Sequence, residues 1–562
     1  MNIDPFSNQQ LNELKLMKFR QLMIWAILYF IVFLWIYGYE KVQNEKAGYI
    51  LGSLALIGEF LYFRFIFYLW SKNGLAFLLE NHSGTLIIAV TQIVMFYFLN
   101  YIVILIFFDV IYRAVRQSIL NFSFEYERAN PSLFLIFGFI SIIIIGSYLL
   151  TLPVMTHDSP LGFIDAFFTA TSATCVTGLI VVDTATRFTM TGQWVILFLI
   201  EIGGLGIMTV SSFILILIGQ RFSLKNMEIL KGIYDIRESR QLIALIKKVI
   251  FYTFSIELFG CLLLYLRART YSQVQNPLFF SLFHSISAFC NAGFALQTDN
   301  LMPFAQDPLL NFTIMGLIVL GGLGFIVINN VLQFFYKHQR LLLHSRLILY
   351  GTSILICLGF VLFFFLEFGG VLDQHYLSNK MLISLFQSIT ARTAGFNTID
   401  FSQIGNMTKL LFIGLMFIGA GPGSAAGGVK ITTLIVIIGF AYQTLMENPK
   451  LTFYQRTISA FIVAKSIVIV ILSIFFIVII FISLEMTQTF SMLDLLFETV
   501  SAFGTVGLST GITPGLTSFG KIMITLLMFV GRVGPLSFSF LIRPGKAKPV
   551  LVKFPDEDVW VG

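Results

Sequence analysis

Phe497-Glu-Thr-Val-Ser-Ala-Phe-Gly-Thr-Val-Gly507 carries the phrase on which the fold turns. Its skeleton is Phe497-x3-Ser501-Ala502, then four residues, then Gly507. It recurs as Phe168-x3-Ser172-Ala173 closing at Gly178, and as Phe283-x3-Ser287-Ala288 closing at Gly293. Phe386-x3-Thr390-Ala391 reaches Gly395 after three residues, one fewer. The four glycines lie 115, 102 and 112 residues apart. One element copied four times through an apolar chain predicts four segments meeting around an axis, and a selective membrane pore is the leading arrangement for such a set.

The composition places the chain in a bilayer. Of 562 residues, 57% are hydrophobic and 12% charged, with 62 Phe, and the mean hydropathy is +0.87. Soluble domains carry about 25% charged residues, so no ordinary globular core accounts for this balance. Apolar runs long enough for a hydrocarbon layer of about 30 Å recur throughout. The net charge of +7 is spread between those runs and forms no nucleic-acid-binding block. Cys175, Cys261, Cys290 and Cys357 fall in apolar or pore-like sequence and read as buried small residues. No CxxC pair or Cys/His spacing for zinc is present. The apolar run from Gln21 follows Lys15, Lys18 and Arg20, with no small-x-small cleavage site after it, and reads as a retained membrane helix.

Around each phrase the order is the same: long apolar helix, short half-apolar segment, glycine phrase, second long helix. Repeat one (130–248) has Ser132–Leu152, Phe163–Ala173 and Trp194–Ile218. Repeat two (249–346) has Val249–Leu266, Leu278–Phe289 and Asn311–Phe335. Repeat three (347–456) has Leu347–Leu366, Met381–Ala391 and Thr408–Phe440. Repeat four (457–544) has Thr457–Leu484, Met492–Phe503 and Gly520–Ile542. Short segments of about a dozen residues cannot cross the bilayer and have the length of re-entrant segments. Irregular backbone at membrane depth is tolerated only where it is buried in protein or lines water, a condition that four segments around one pore satisfy.

Residues 1–129 stand outside the repeat, with about three spans at Gln21–Gly38, Gly48–Trp70 and Gly84–Phe108. Glu59 and Arg64 in the second are five apart, about 140° around a helix, and need not pair. Residues 545–562 read as a cytoplasmic tail. The fold expected is an all-α polytopic membrane protein: four pseudo-repeated helix–pore-helix–helix units around one pore, preceded by extra transmembrane helices. Charge orients it. Gln220–Lys248 carries seven basic and three acidic residues and Tyr336–Arg346 three basic and none acidic, whereas Ala295–Leu310 has only Asp299 and Asp307. Positive-inside reasoning puts the links between repeats in the cytoplasm and the glycine phrases towards the outside.

A dehydrated cation needs oxygen ligands, which rings of backbone carbonyls supply. Glycine reaches conformations that a Cβ disfavours and lets carbonyls turn inward. The candidate linings are Thr174-Cys175-Val176-Thr177-Gly178, Phe289-Cys290-Asn291-Ala292-Gly293, Arg392-Thr393-Ala394-Gly395 and Gly504-Thr505-Val506-Gly507. None carries an acidic residue, which favours carbonyls over carboxylates. Each short segment also aims the partly negative end of a helix at the cavity. A single copy would signify ordinary small-residue packing.

A second region, Gly419-Ala-Gly-Pro-Gly-Ser-Ala-Ala-Gly-Gly-Val-Lys430, lies within Thr408–Phe440. As one helix that stretch would reach about 50 Å, too long for the membrane core. Gly419, Gly421, Gly423, Gly427 and Gly428, with Pro422, offer the place to break it. A loop there, including Ser424 and ending at Lys430, could obstruct the pore; the bland alternative is a packing kink. It is no phosphate loop, because Gly428 is followed by Val429 before Lys430. Arg532 sits in an apolar span, where an ionisable group is a functional hypothesis, with carboxylate pairing or snorkelling as the ordinary explanation. Arg392 reads as holding a pore segment, and His284 as a satisfied polar contact rather than a proton relay.

Thr177–Leu179, Asn291–Phe294, Arg392–Thr398 and Thr505–Ser509 resemble the four filters of the Trk/Ktr/HKT potassium transporter superfamily. Gly-Gly-Leu-Gly at Gly203–Gly206 and Gly321–Gly324, and Gly531–Pro535, extend the likeness. It covers about Asn130 to Pro544 and is most similar in pattern to the Ktr-type ion-translocating subunit, whose usual core is shorter. The resemblance implies potassium uptake across the bacterial plasma membrane, with Gly419–Lys430 as an intramembrane gating loop and Arg532 as an electrostatic barrier below the filter. It also implies a homodimer with a separate cytoplasmic nucleotide-binding regulatory subunit; this chain shows no nucleotide-binding domain and no cofactor motif. Some plant relatives that transport sodium have serine in the first filter, where this chain has Gly178.

Two other readings compete. A sodium-selective or sodium/potassium cotransporting relative shares nearly every feature. A membrane enzyme or organic-solute transporter needs converging polar groups, and the sequence offers no HExxH, no GxSxG with partners and no paired intramembrane carboxylates.

Overall fold

The computed structural model of the chain describes residues 131–206, 239–447, 451–535 and 538. The expected N-terminal spans with Glu59 and Arg64, most of the basic connection Gln220–Lys248, and the tail 545–562 lie outside the described residues.

The described chain is helical apart from one short hairpin. Unit one has α1 (Pro131–Leu150), α2 (Phe163–Thr174), the single turn α3 (Thr184–Arg187) and α4 (Met190–Leu205). Unit two has α5 (Ser239–Ala268), α6 (Pro277–Phe289), α7 (Pro308–Leu323) and α8 (Phe325–Lys337). Unit three has α9 (Leu343–Leu366), α10 (Leu377–Thr390), α11 (Asn406–Phe417) and α12 (Ile431–Leu445). A hairpin of β1 (Thr452–Phe453) and β2 (Arg456–Thr457), paired antiparallel, leads to α13 (Ala460–Glu485), α14 (Met492–Gly504) and α15 (Ser518–Val533).

Helices α5, α9 and α13 contain stretches long and apolar enough to cross a bilayer. Their outer faces leave Leu258, Ile354, Phe365, Phe461 and Ile471 exposed. Apolar side chains in such numbers on helix faces have lipid as their natural solvent. The inner faces of α5, α9 and α13 hold the short helices α6, α10 and α14, as α1 holds α2. Each short helix is anchored by the phenylalanine that opens its phrase: Phe168, Phe283, Phe386 and Phe497 are all fully buried. In a bilayer, where the surrounding lipid is as apolar as the ring, such an anchor acts through close packing rather than through removal from water.

The units close on themselves. The second helix of each packs on the short helix of the next: α4 on α6, α7 on α10, α11 on α14, and α15 back on α2. At two of these seams an ion pair occupies the same repeat position, three residues before the anchoring phenylalanine. Lys409 of α11 meets Asp494 of α14 at 2.7 Å, and Lys521 of α15 meets Asp165 of α2 at 2.7 Å.

The second helices depart from expectation. Asn311–Phe335 is not one continuous helix: α7 and α8 meet at Gly324 with a bend of 102°. Helix α4 ends at Leu205 before the left-handed Gly206, and α15 ends at Val533 before Gly534; the rest of the expected spans, 207–218 and nearly all of 536–542, lies outside the described residues. In all three the stop is the last glycine of a Gly-x-x-Gly group, at φ between +81° and +92°, where a Cβ would be strained. Unit three breaks where expected, between Phe417 and Ile431. Helix α5 begins at Ser239, ahead of the expected Val249.

Candidate functional site

The four phrases converge. A Cβ built on Gly178 would overlap the Ala292 carbonyl and lie 3.1 Å from the Gly293 Cα. One on Gly293 would lie 2.8 Å from the Ala394 carbonyl and 2.9 Å from the Gly395 Cα. One on Gly395 would lie 2.6 Å from the Val506 carbonyl and 3.2 Å from the Gly507 Cα. One on Gly507 would overlap the Thr177 carbonyl and lie 3.0 Å from the Gly178 Cα. Each glycine thus faces the next, and the fourth faces the first. The ring has no room for a side chain at any of its four corners.

The residue two before each glycine is left-handed as well: Val176 (φ 57°), Asn291 (φ 59°), Thr393 (φ 70°) and Thr505 (φ 50°). Three of these are β-branched, the type that tolerates this region least, and each non-glycine visit costs about 1–2 kcal/mol. The residues between, Thr177, Ala292, Ala394 and Val506, lie in ordinary space. Such strain persists only where surrounding contacts hold it. In every unit the amide just before the glycine donates to the carbonyl of the phrase's Ser or Thr: Thr177 to Ser172 (2.8 Å), Ala292 to Ser287 (2.7 Å), Ala394 to Thr390 (3.0 Å) and Val506 to Ser501 (2.9 Å). Unit three makes this bond across four residues instead of five, so its missing residue is absorbed at the helix end and Gly395 keeps its place.

The hydroxyls of the phrase add a second clip. Gly178 N–H donates to Ser172 Oγ (3.1 Å), Ser287 Oγ donates to the Phe294 carbonyl (2.8 Å), and Thr390 Oγ1 donates to the Phe396 carbonyl (2.6 Å). All of the lining residues from Cys175 to Gly178, Cys290 to Gly293, Thr393 to Gly395 and Gly504 to Gly507 are buried.

A third set of supports is legible in the sequence only at His284. The residue after each anchoring phenylalanine is polar and buried: Thr169, His284, Gln387 and Glu498. In three units it ties down the chain beyond the glycine. The Leu296 N–H donates to His284 Nε2 (3.4 Å), while Nδ1 faces the Phe280 carbonyl at 2.8 Å. Both ring nitrogens are used, as expected for a structural contact. Gln387 Nε2 donates to Thr398 Oγ1 (3.0 Å). Glu498 accepts from Ser509 Oγ, from Thr510 N–H (3.1 Å) and from Thr513 Oγ1 (2.9 Å). Reading down the aligned repeats, one polar residue at this column in every copy was the available signal.

Residues 418–430 form an irregular loop between α11 and α12, laced to neighbours by backbone bonds. Gly419 N–H donates to Val429 (2.8 Å), Gly421 N–H to Gly322 (2.9 Å), and Phe325 N–H to Gly423 (3.3 Å). Ser424 Oγ donates to Gly421 (2.6 Å) and Lys430 Nζ to Ala426 (2.5 Å), so both work within the loop. A Cβ on Gly427 would overlap the Thr505 side chain, and one on Gly428 would lie 3.2 Å from the Gly504 Cα, which sets the loop directly against the fourth lining. Arg532 reaches it from α15 and donates to the carbonyls of Ala425 in the loop and Gly203 in unit one. Its partners are carbonyls, in place of the carboxylate or membrane interface of the ordinary explanation. Arg392 is buried and donates to Thr352 Oγ1 of α9 (3.4 Å), consistent with holding the third segment.

One expectation is overturned. Glu201 of the short apolar helix α4 and Glu257 in the membrane-length stretch of α5 bring two carboxylates together beside Cys290. They lie in different units, and no local spacing connects them.

Residues 102–546 match the model of the TrkH family, described as a cation transport protein. The match begins ahead of the Asn130 boundary expected from the motifs. The chain is 40% identical over 440 residues to the Ktr system potassium uptake protein B of Bacillus subtilis (strain 168), covering 78% of this chain and 98% of that one. It is 34% identical over 444 residues to the potassium/sodium uptake protein NtpJ of Enterococcus hirae, covering 78% and 98%. Its fold is similar to the crystal structure of the potassium transporter TrkH from Vibrio parahaemolyticus, with a TM-score of 0.64, 17% identity, and coverage of 82% of this chain and 97% of that one.

Proposed function

From the premise that this chain belongs to the TrkH cation transport family and is a multi-pass membrane protein, not an enzyme, we propose that it takes up potassium across the bacterial plasma membrane. The closed ring of Gly178, Gly293, Gly395 and Gly507 carries this reading. A left-handed residue, an ordinary one and a left-handed glycine in each unit turn successive carbonyls towards one side. Four copies make stacked oxygen rings that can replace the hydration shell of a cation. The ion then passes from Gly178, Gly293, Gly395 and Gly507 towards the loop 418–430, which serves as the gate. Arg532, bonded to that loop and to unit one, holds the gate shut and places a positive charge on the inner side.

The four repeats, 130–248, 249–346, 347–456 and 457–544, are the functional quarters of the pore, with 1–129 appended. A homodimer with a separate cytoplasmic nucleotide-binding subunit that moves the gate belongs to this proposal; its support is the resemblance to Ktr-type subunits, in keeping with relatives named as protein B of a Ktr system. A second reading, sodium/potassium transport, is favoured by the likeness to a protein named for uptake of both ions.

Rubidium uptake into potassium-loaded proteoliposomes, with external potassium or sodium as competitor, separates them. Block by potassium alone supports the potassium filter. Strong block by sodium moves the reading to dual transport. Absence of uptake even with the regulatory partner present would overturn both.

A further inference from the structure

Glu201, Glu257 and Cys290 converge from α4, α5 and the second glycine loop. Cys290 Sγ lies 3.6 Å from Glu201 Oε2 and 3.9 Å from Glu257 Oε1. One ligand atom from each of the three lies within 4.8 Å of the others. Glu257 is 3% exposed and Cys290 1% exposed, while Glu201 is half-buried. Glu201 Oε1 and Glu257 Oε2 are buried without any hydrogen-bond partner. Two carboxylates facing each other in an apolar bundle are costly unless something positive lies between them. A Cβ on Gly204 would come within 2.8 Å of the Cys290 Cβ, so that glycine leaves the space the thiol occupies.

We propose that Glu201, Glu257 and Cys290 form a site for a borderline-to-soft divalent cation such as zinc or cadmium, and that filling it restrains the second glycine loop and slows ion passage. A tetrahedral centre with a metal–sulfur bond of about 2.3 Å and metal–oxygen bonds of about 2.0–2.2 Å sets sulfur and oxygen ligands about 3.6 Å apart. The two sulfur–oxygen distances lie close to this value before any metal draws them in. One thiolate with two carboxylates suits such metals better than magnesium or calcium, which take oxygen alone. The free carboxylate oxygens or water complete the shell. Because Cys290 adjoins the left-handed Asn291, a metal there would fasten the loop to α4 and α5 together. The binding half stands on the cluster alone; the effect on flux rests on the potassium-pathway reading.

The test uses the full chain in detergent, cleared of metal with chelator and titrated with cadmium, reading ultraviolet cadmium–thiolate absorption. One cadmium per chain is expected. Glu257→Gln and Glu201→Gln are expected to weaken binding by about tenfold or more, Cys290→Ser to abolish the band, and Cys357→Ala to leave it. No band, or unchanged affinity in the two glutamine variants when they elute as folded protein, overturns the site and leaves the carboxyls sharing a proton. Cadmium is then added to rubidium-uptake vesicles, each variant scored against its own metal-free rate. A severalfold loss that chelator reverses in the native chain and that Glu257→Gln resists supports the restraint; metal binding with undiminished uptake overturns it.

Discussion

At Gly178 a side chain meets the Ala292 carbonyl on the neighbouring loop, and the same holds around the ring at Gly293, Gly395 and Gly507. Gly178→Ser is therefore expected to displace the Ala292 oxygen and weaken potassium-over-sodium discrimination, read as increased sodium competition for rubidium uptake. Unchanged competition would count against the filter assignment. Glu498 acts one step back, through the three groups it binds beyond Gly507. Glu498→Ala strands the buried Thr510 and Thr513 donors, at a cost of about 1–3 kcal/mol each at most, together with the half-buried Ser509. It is expected to raise sodium competition as Gly178→Ser does; a variant that loses only thermal stability would limit Glu498 to folding. The glycines were legible in the sequence because a repeated exception to side-chain chemistry is visible without a structure. The supports at His284, Gln387 and Glu498 were less so, since three different side chains perform one task.

Helices and their breaks set what can move. Loop 418–430 is held by backbone bonds to the α7–α8 bend and by Arg532. A hydrogen bond from a charged group is worth about 1.5–3 kcal/mol, and losing one shifts a closed–open balance by about tenfold or more. Arg532→Gln is thus expected to raise basal rubidium flux; lower flux from folded protein would contradict the gate. At the N-terminus of α7, Asp307 caps the helix through Leu309 and Leu310 N–H, and accepts from Tyr271 (2.7 Å) and Arg267 (2.5 Å). Burial opposes its ionisation, but the bonds from Tyr271 and Arg267 prevail and hold its carboxyl below the ordinary 3.8. A depressed carboxyl stabilises the fold above pH 3.8 and loses that contribution as pH falls through its lower native value. Asp307→Ala is expected to cost about 0.5–2 kcal/mol as a lost cap, seen in thermal unfolding at pH 7 and shrinking in acid. An equal deficit at all pH values would point to packing instead. The break in unit three was readable from five glycines and a proline. The 102° bend in unit two was not, since Gly324 alone resembles an ordinary tolerated glycine until its φ of +92° is known.

For the whole molecule, each unit supplies one corner of the ring and lends its second helix to the next unit's short helix. No unit makes a site alone. The proposed homodimer predicts a particle of twice the single-chain mass in detergent by light scattering; a monodisperse single chain would refute it.

The amino-acid sequence alone determined the bilayer setting, the four short helices and the glycines at their ends, because hydropathy and a phrase copied four times are local properties of the chain. Tertiary structure decided what the copies do to one another. The ring order, the loop pressed on Thr505 and tied by Arg532, and the meeting of Glu201, Glu257 and Cys290 all join residues from different units. Such contacts have no sequence period, because they are set by how the helices pack around the axis.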